Sequence, residues 1–240
     1  MTEQINLSKR LETVASFVDA NQLCADIGSD HAYLPCYICQ QNSGARAIAG
    51  EVNAGPFNSA RHTVKRLNLE KQVDVRLGDG LDILHDREIV QVVIAGMGGS
   101  LIRSILEKGM DKMGNISRII AQPNIDGRDV REFLINHSFK IGTETIVEEN
   151  GHIYEVIVAE PITDDIIIKP SEKEMLFGPL LLKKRSEIFY QKWTAERKHY
   201  QRVIEQMSKA KVKDHVKMTQ YRKELEWIEE VLSDGRTDDK

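Results

Sequence analysis

The residues best placed to do chemistry cluster around one glycine near the start of the chain, in the stretch Leu23-Cys24-Ala25-Asp26-Ile27-Gly28-Ser29-Asp30-His31-Ala32-Tyr33-Leu34-Pro35. Two carboxylates, Asp26 and Asp30, flank Gly28, and an imidazole follows. A dinucleotide site generally carries three glycines in G-x-G-x-x-G because its backbone must wrap a pyrophosphate. Here there is one glycine, and the paired carboxylates would repel phosphate while attracting an amine or another cation. S-adenosyl-L-methionine carries both an amine and a sulfonium and suits such a turn. A plain acidic bend of an α/β protein is the other reading of this stretch on its own.

Further candidates recur after each apolar segment. Arg46 to Glu51 reads as a strand ending on a carboxylate about twenty residues beyond Gly28, the place where an acidic residue accepts hydrogen bonds from ribose hydroxyls in doubly wound nucleotide sites. Asp79, between Gly78 and Gly80, is either an acceptor for the exocyclic amine of adenine or a simple Asx turn. Gly96-Met97-Gly98-Gly99 closes a β-branched run and lets backbone come close to a ligand, with Met97 as a flexible apolar wall. In Gln122-Pro123-Asn124 both amides are candidates to meet a base edge, and Asn124 is alternatively a helix cap.

These residues need strands and helices to hold them. Leu7, Leu11, Val14, Ala15 and Val18 share a helical face, which predicts a helix over 7–18. Strands are expected at 22–27, 46–51, 73–77, 89–95 and 118–122. Helices are expected at 31–42, from an Asn53 cap to about 67, and at 100–108 and 128–137. A hairpin over 140–148 and 153–159 turns at Asn150-Gly151, a strong turn signal. Every candidate ligand residue follows a strand end, where open α/β sheets bind ligands. The tally predicts an α/β protein with a seven-stranded, mostly parallel sheet closed by an antiparallel hairpin, the look of a Rossmann-like class I methyltransferase rather than a dehydrogenase.

The 240 residues, 41% hydrophobic, supply ample core. No apolar run reaches the ~20 residues of a membrane span, and the N-terminus reads as an amphipathic helix rather than a signal peptide. A cytoplasmic protein is expected. Cys24, Cys36 and Cys39 form neither a disulfide framework nor a zinc site; the C-x-x-C lies within a predicted helix and reads as two small buried side chains.

Charge divides unevenly, with net −7 over residues 1–170 and +4 over 171–232. The chain is expected to comprise a catalytic domain at 1–165 and a helical arm at 170–233. Phe189, Trp193, Tyr200, Val203, Met207 and Ala210, then Met218, Tyr221, Leu225, Ile228 and Leu232, fall at three- and four-residue steps, the seam of a C-terminal antiparallel coiled-coil hairpin joined through 210–214. Its aromatics occupy that seam. Lys183, Lys184, Arg185, Lys192, Arg197, Lys198, Arg202, Lys209, Lys211, Lys213 and Lys217 are candidate phosphate contacts, with a solvated charged face as the alternative.

The segments LSKRLETVASFV, ADIGSDHAYLP, AIAGEVNAGPF, VRLGDGL, IAGMGG and QPN, in this order and followed by the coiled-coil tail, closely resemble the bacterial tRNA adenine N1-methyltransferases of the TrmK family, which act at position 22 in the D arm. The resemblance spans nearly the whole chain. It implies S-adenosyl-L-methionine as donor and tRNA as acceptor; no stable protein partner is implied, and the oligomeric state is left open. It would place Asp26, Gly28, Ser29, Asp30 and His31 around the methionine end, Glu51 on the ribose with Val52 beside it, Asp79 and Gly80 at adenine, and Gly96, Met97 and Gly98 by the sulfonium. Asp30 and His31 are expected to border methyl transfer, although His31 equally suits a packed helix-start residue. Asn124 is expected to orient the base. AGMGG also lacks the Asn- or Asp-Pro-Pro-aromatic motif of many N6 amine methyltransferases, which fits a ring nitrogen. A methyltransferase with a small-molecule or protein acceptor, and a non-catalytic RNA-binding relative, are the competing readings.

Overall fold

A computed structural model describes residues 3–86, 88–163, 169–210 and 214–234. The chain divides into two compact units, Met1–Lys169 and Pro170–Lys240.

In the first unit, α1 (Lys9–Ala15) starts later than expected because the Ser8 hydroxyl accepts the Leu11 N–H and caps the first turn. Strands and helices then alternate through β1 (Cys24–Ile27), α2 (Tyr33–Gln41), β2 (Ala47–Glu51), α3 (Ala54–Arg66), β3 (Val73–Leu77), β4 (Val90–Met97), α4 (Gly99–Lys108), β5 (Ile116–Pro123) and α5 (Gly127–Asn136), before β6 (Phe139–Glu149) and β7 (His152–Pro161). Asn53 holds the cap position of α3 as expected, yet its side chain makes no capping bond.

The seven strands form one sheet in the order β3-β2-β1-β4-β5-β7-β6. The first five are parallel, and β7 runs antiparallel to both β5 and β6. Asn150 and Gly151 turn the closing hairpin with φ of 53° and 79°, the two positive values that a tight two-residue turn requires. Strand order reverses between β1 and β4, so their carboxyl ends open a crevice at the switch point.

Val90, Val92, Val93 and Ile94 are buried, which explains the β-branched run of β4. Gln91 interrupts that run without leaving an unpaired amide. Its Oε1 accepts the Asp19 N–H at 2.9 Å and its Nε2 donates to the Asp19 carbonyl at 2.8 Å, tying β4 to the entry of β1. Another buried polar cluster fastens α5 to the hairpin, where Arg131 reaches Glu144 on β6 at 2.6 Å and Glu155 on β7 at 2.7 Å.

The second unit opens with two short helices that periodicity did not reveal, α6 (Glu172–Phe177) and α7 (Pro179–Lys184), separated by Gly178 at φ 86°. Then α8 (Glu187–Lys209) and α9 (His215–Asp234) pair antiparallel: Arg185, just before α8, meets Asp234 at 3.3 Å, and the Tyr200 and Tyr221 rings lie 5.1 Å apart. Phe177, Phe189 and Trp193 form the buried aromatic base of this hairpin. The expected seam is corrected in two places. Glu224 rather than Leu225 is buried, because the Tyr200 hydroxyl donates to its Oε2 at 2.9 Å, and Ala210 is the exposed cap of α8. The expected connection and two candidate phosphate contacts, Lys211 and Lys213, fall partly or wholly outside the described residues. Among the described residues no helix is long and apolar enough to cross a membrane.

Candidate active site

One wall of the crevice is built at the ends of β1 and β2. β1 delivers Asp26 buried and then bends at Gly28, whose φ of +73° is natural for glycine alone. The turn is pinned to β2, since the N–H groups of Gly28 and Ser29 both donate to the Gly50 carbonyl, at 2.9 and 3.1 Å. Ser29 is itself buried and its hydroxyl donates to Glu51 Oε1 at 2.8 Å, which fixes the carboxylate at the end of β2 and leaves its second oxygen for a ligand.

Asp26 and Glu51 are thus two buried acids at neighbouring strand ends. Among the described residues neither is ion-paired with a lysine or arginine. Burial first, then the charges of Glu51 and Asp30, push the Asp26 carboxyl up to about 7. A group crowded in this way gains from an incoming cation. Gly28 contributes room, because a Cβ there would lie 2.5 Å from Met97 Cε on β4. The carboxylates and this cradle fit a cationic, ribose-bearing ligand such as S-adenosyl-L-methionine.

Beyond Ser29 the backbone winds through Asp30, His31 and Ala32 at φ 40°, 68° and 59°. Three successive left-handed residues without a glycine cost about 1–2 kcal/mol each, so the packing of Ala32 and α2 must hold them. His31 does not begin α2 as expected. Ala32 occupies the cap position and Tyr33 the first turn. His31 Nε2 lies 3.4 Å from Asp30 Oδ1, the Asp30 side chain open to solvent and the His31 side chain half-buried.

The loops after β2 and β3 continue the rim. The Gly78 N–H donates to the Glu51 carbonyl at 2.9 Å, carrying Asp79 and Gly80 alongside the end of β2. Asp79 is exposed and its Oδ2 meets Lys108 Nζ at 3.3 Å, and Gly80, at φ +56°, starts a tight helical turn over Gly80–Ile83. Val52 and Leu77 stand exposed, 58% and 54%, at the ends of adjacent strands β2 and β3, offering apolar surface beside Glu51.

The opposite wall carries neutral amides. β4 ends through Gly96 at φ +77° and Met97, and Gly98 caps α4. β5 ends at Pro123, and Asn124 follows, exposed, with its backbone N–H donating to the Met97 carbonyl at 2.7 Å. The Asn124 side chain donates from Nδ2 to the Gly96 carbonyl at 2.7 Å. It is therefore not the cap of α5, a position held by Asp126. Gln122 is fully buried with its amide bonded within the protein, which does not suit the expectation that it meets a base edge. Its Oε1 accepts from the Gly96 N–H at 3.0 Å and from Arg10 Nη1, and its Nε2 donates to Asn124 Oδ1 at 3.2 Å.

Arg10 is the site residue that sequence reasoning missed. On α1 it looked like the polar side of a covering helix, and only the packing of α1 near the ends of β4 and β6 brings it here. Its backbone N–H donates to Glu149 Oε1 at 3.0 Å and its guanidinium stands 5.3 Å from the centre of the Tyr154 ring. Among the described residues no cluster of histidine, cysteine or acidic side chains could hold a metal ion.

A seven-stranded mixed sheet with carboxylates after β1 and β2, and a glycine-rich end to β4, defines a Rossmann-like methyltransferase. The sequence profile described as TrmK, tRNA (adenine(22)-N(1))-methyltransferase, matches residues 24–230. The chain belongs to this family. The Bacillus subtilis protein named tRNA (adenine(22)-N(1))-methyltransferase is 41% identical over 236 residues, 97% of this chain and 99% of that one. The crystal structure of the B. subtilis tRNA methyltransferase TrmK superposes with a TM-score of 0.85 at 42% identity, covering 95% of this chain and 100% of that chain. Streptococcus pneumoniae Sp1610, solved in complex with S-adenosyl-L-methionine, gives 0.83 at 39% identity with the same coverage.

Proposed function

We infer that this chain transfers a methyl group from S-adenosyl-L-methionine to N1 of the adenine at position 22 in the D arm of tRNA. The observation that carries the assignment is the two-faced crevice, buried acids on one wall and exposed neutral amide on the other, in a chain of this family. When bound, the cofactor supplies an electrophilic methyl on a sulfonium. We propose that Glu51 accepts from the ribose hydroxyls, that Val52, Asp79 and Gly80 border the adenosine, and that Asp26, Gly28 and Ser29 shape the site for the charged methionine end, with Gly96, Met97 and Gly98 lining the methyl's path.

Adenine N1 carries an in-plane lone pair and attacks without losing a proton, and the ring becomes a cation. A strong general base is therefore unnecessary. The residues act by positioning and by electrostatics. Asn124 orients the base, and Asp30 and His31 border the transfer and face the developing positive charge. The N1 edge is paired or stacked in folded tRNA, so the nucleotide must leave its stack to reach the crevice. The exposed lysines and arginines of α7 and α8 supply affinity for the tRNA backbone.

The test is incubation of purified protein with unmodified tRNA and S-adenosyl-L-methionine, followed by mapping of the modified nucleotide. N1-methyladenosine at position 22 is the expected product. Methylation elsewhere, or none alongside measurable cofactor binding, would point to another acceptor or to a non-catalytic binder.

A further inference from the structure

Asn124 offers a nucleobase one free donor and one free acceptor, and their left-right order is fixed by a chain of bonds that begins on α1. An Arg guanidinium and a backbone N–H are donors only, so the Gln122 atom facing Arg10 and Gly96 must be its oxygen. Its nitrogen is then committed to Asn124, whose facing atom must be Oδ1. Asn124 Nδ2 in turn meets the Gly96 carbonyl, an obligatory acceptor. Neither amide can flip without setting like against like at several contacts. One Nδ2 hydrogen and one Oδ1 lone pair of this exposed side chain remain.

Adenine presents a matching donor and acceptor on two edges, N6–H with N1 and N6–H with N7. Pairing with the first would occupy the lone pair that must attack the methyl group. Pairing with the second leaves N1 open, and an asparagine across N6 and N7 is the standard way a protein reads adenine. We propose that Asn124 reads the N6–N7 edge of the target adenine and that Arg10 is a positioning residue, which holds the Gln122–Asn124 amides in the one polarity that does so. Guanine is rejected by the same geometry, since its O6 would face Asn124 Oδ1. Tyr154, stacked on the guanidinium at 5.3 Å, steadies the anchor. This inference rests on the methyl-transfer reading above.

The experiment uses the full chain and two tRNAs, one with adenosine at position 22 and one with 7-deazaadenosine there, which lacks the N7 acceptor but keeps N1. Single-turnover methylation by the wild type should be about tenfold slower on the deaza substrate, the worth of one base-edge contact. Asn124→Ala and Arg10→Met should be slow on both and lose most of that difference. Arg10→Lys, which retains a donor, should recover part of it. A folded circular dichroism spectrum at the assay temperature and unchanged calorimetric cofactor binding in all three variants separate positioning from folding. Equal wild-type rates on the two substrates, or a deaza penalty undiminished in Asn124→Ala, would overturn the edge assignment while leaving the function intact. A deaza penalty retained in Arg10→Met removes Arg10 from the chain. No product from wild type on either substrate would instead refute the methyl-transfer reading itself.

Discussion

The two walls of the crevice solve different electrostatic problems. The β1–β2 wall buries acids that share no lysine or arginine among the described residues, and Asp26 retains a proton up to about 7 as a result, burial being the larger cause and the Glu51 and Asp30 charges the next. The β4–β5 wall carries its polarity in amides, each satisfied by a partner whose role as donor or acceptor is not negotiable. Charge is therefore stored where a permanently cationic donor has to be held. Neutral hydrogen bonding is placed where an uncharged base has to be recognised. The contrast also suits the reaction, because the base leaves as a cation and the opposite wall is acidic.

Glu51→Ala should break this division most severely. It removes the carboxylate assigned to the ribose and leaves the buried Ser29 hydroxyl without its acceptor. Hydrogen bonds to a charged group contribute ~1.5–3 kcal/mol each, so cofactor affinity should fall by about a hundredfold in calorimetry, with tRNA affinity unaffected. Comparable losses from Glu51→Gln and Glu51→Ala would show that charge matters more than shape. Near-wild-type affinity in Glu51→Ala would disqualify Glu51 as a ligand.

The crowding of acids predicts a pH signature confined to the same wall. Asp26 is raised from 3.8 to about 7 in the folded chain. Between those values the unfolded chain has already released this proton and the folded one still holds it, so stability falls as pH rises through the window. The slope due to this group approaches ~1.4 kcal/mol per pH unit. Asp26→Asn should flatten stability against pH between about 4 and 7 in urea unfolding of the cofactor-free protein. An unaltered slope would mean that Asp26 does not hold the proton.

Neither wall can attract RNA by charge, since the carboxylates repel phosphate and the amides are neutral. Affinity for the polyanion has to come from basic surface elsewhere, and exposed Lys198 and Arg202 on α8 are suitable candidates. Replacing both by Ala should weaken tRNA binding several-fold at moderate salt and lower the slope of log affinity against log salt by about 1.5. Cofactor binding should not change. A slope that stays the same would assign the arm of α8 and α9 to another task.

The legibility of the two walls in the sequence differed for a physical reason. Acids, glycines and strand ends announce the cofactor wall because the determinants are local: Asp26, Gly28 and Ser29 lie within one turn, and Glu51 follows at the spacing of one strand–helix–strand unit. The amide wall depends on tertiary placement. Asn124 was visible as a polar residue after a strand, but the burial of Gln122 and the arrival of Arg10 from over a hundred residues away were not, because α1 shows only an apolar face and a polar one. The same limit hid α6 and α7, each too short for periodicity to register, and the buried Glu224, whose partner lies on the opposite helix.

His31, in the left-handed bend after β1, should show the smallest effect. Its side chain is half-buried and faces Asp30 at 3.4 Å, so a contribution to methyl transfer is through the local field and shape of the rim, and His31→Ala should slow single-turnover methylation by about two- to threefold, the scale of a solvent-screened contact. Backbone strain complicates that variant, because residue 31 sits at φ 68°. His31→Gly removes the same imidazole while tolerating the left-handed conformation, and should be more stable than His31→Ala by about 1 kcal/mol in thermal unfolding. If the imidazole is what matters, both variants lose rate equally despite different stabilities. If rate instead follows stability, recovering in the glycine variant, His31 serves only to carry the bend that brings Asp30 to the rim.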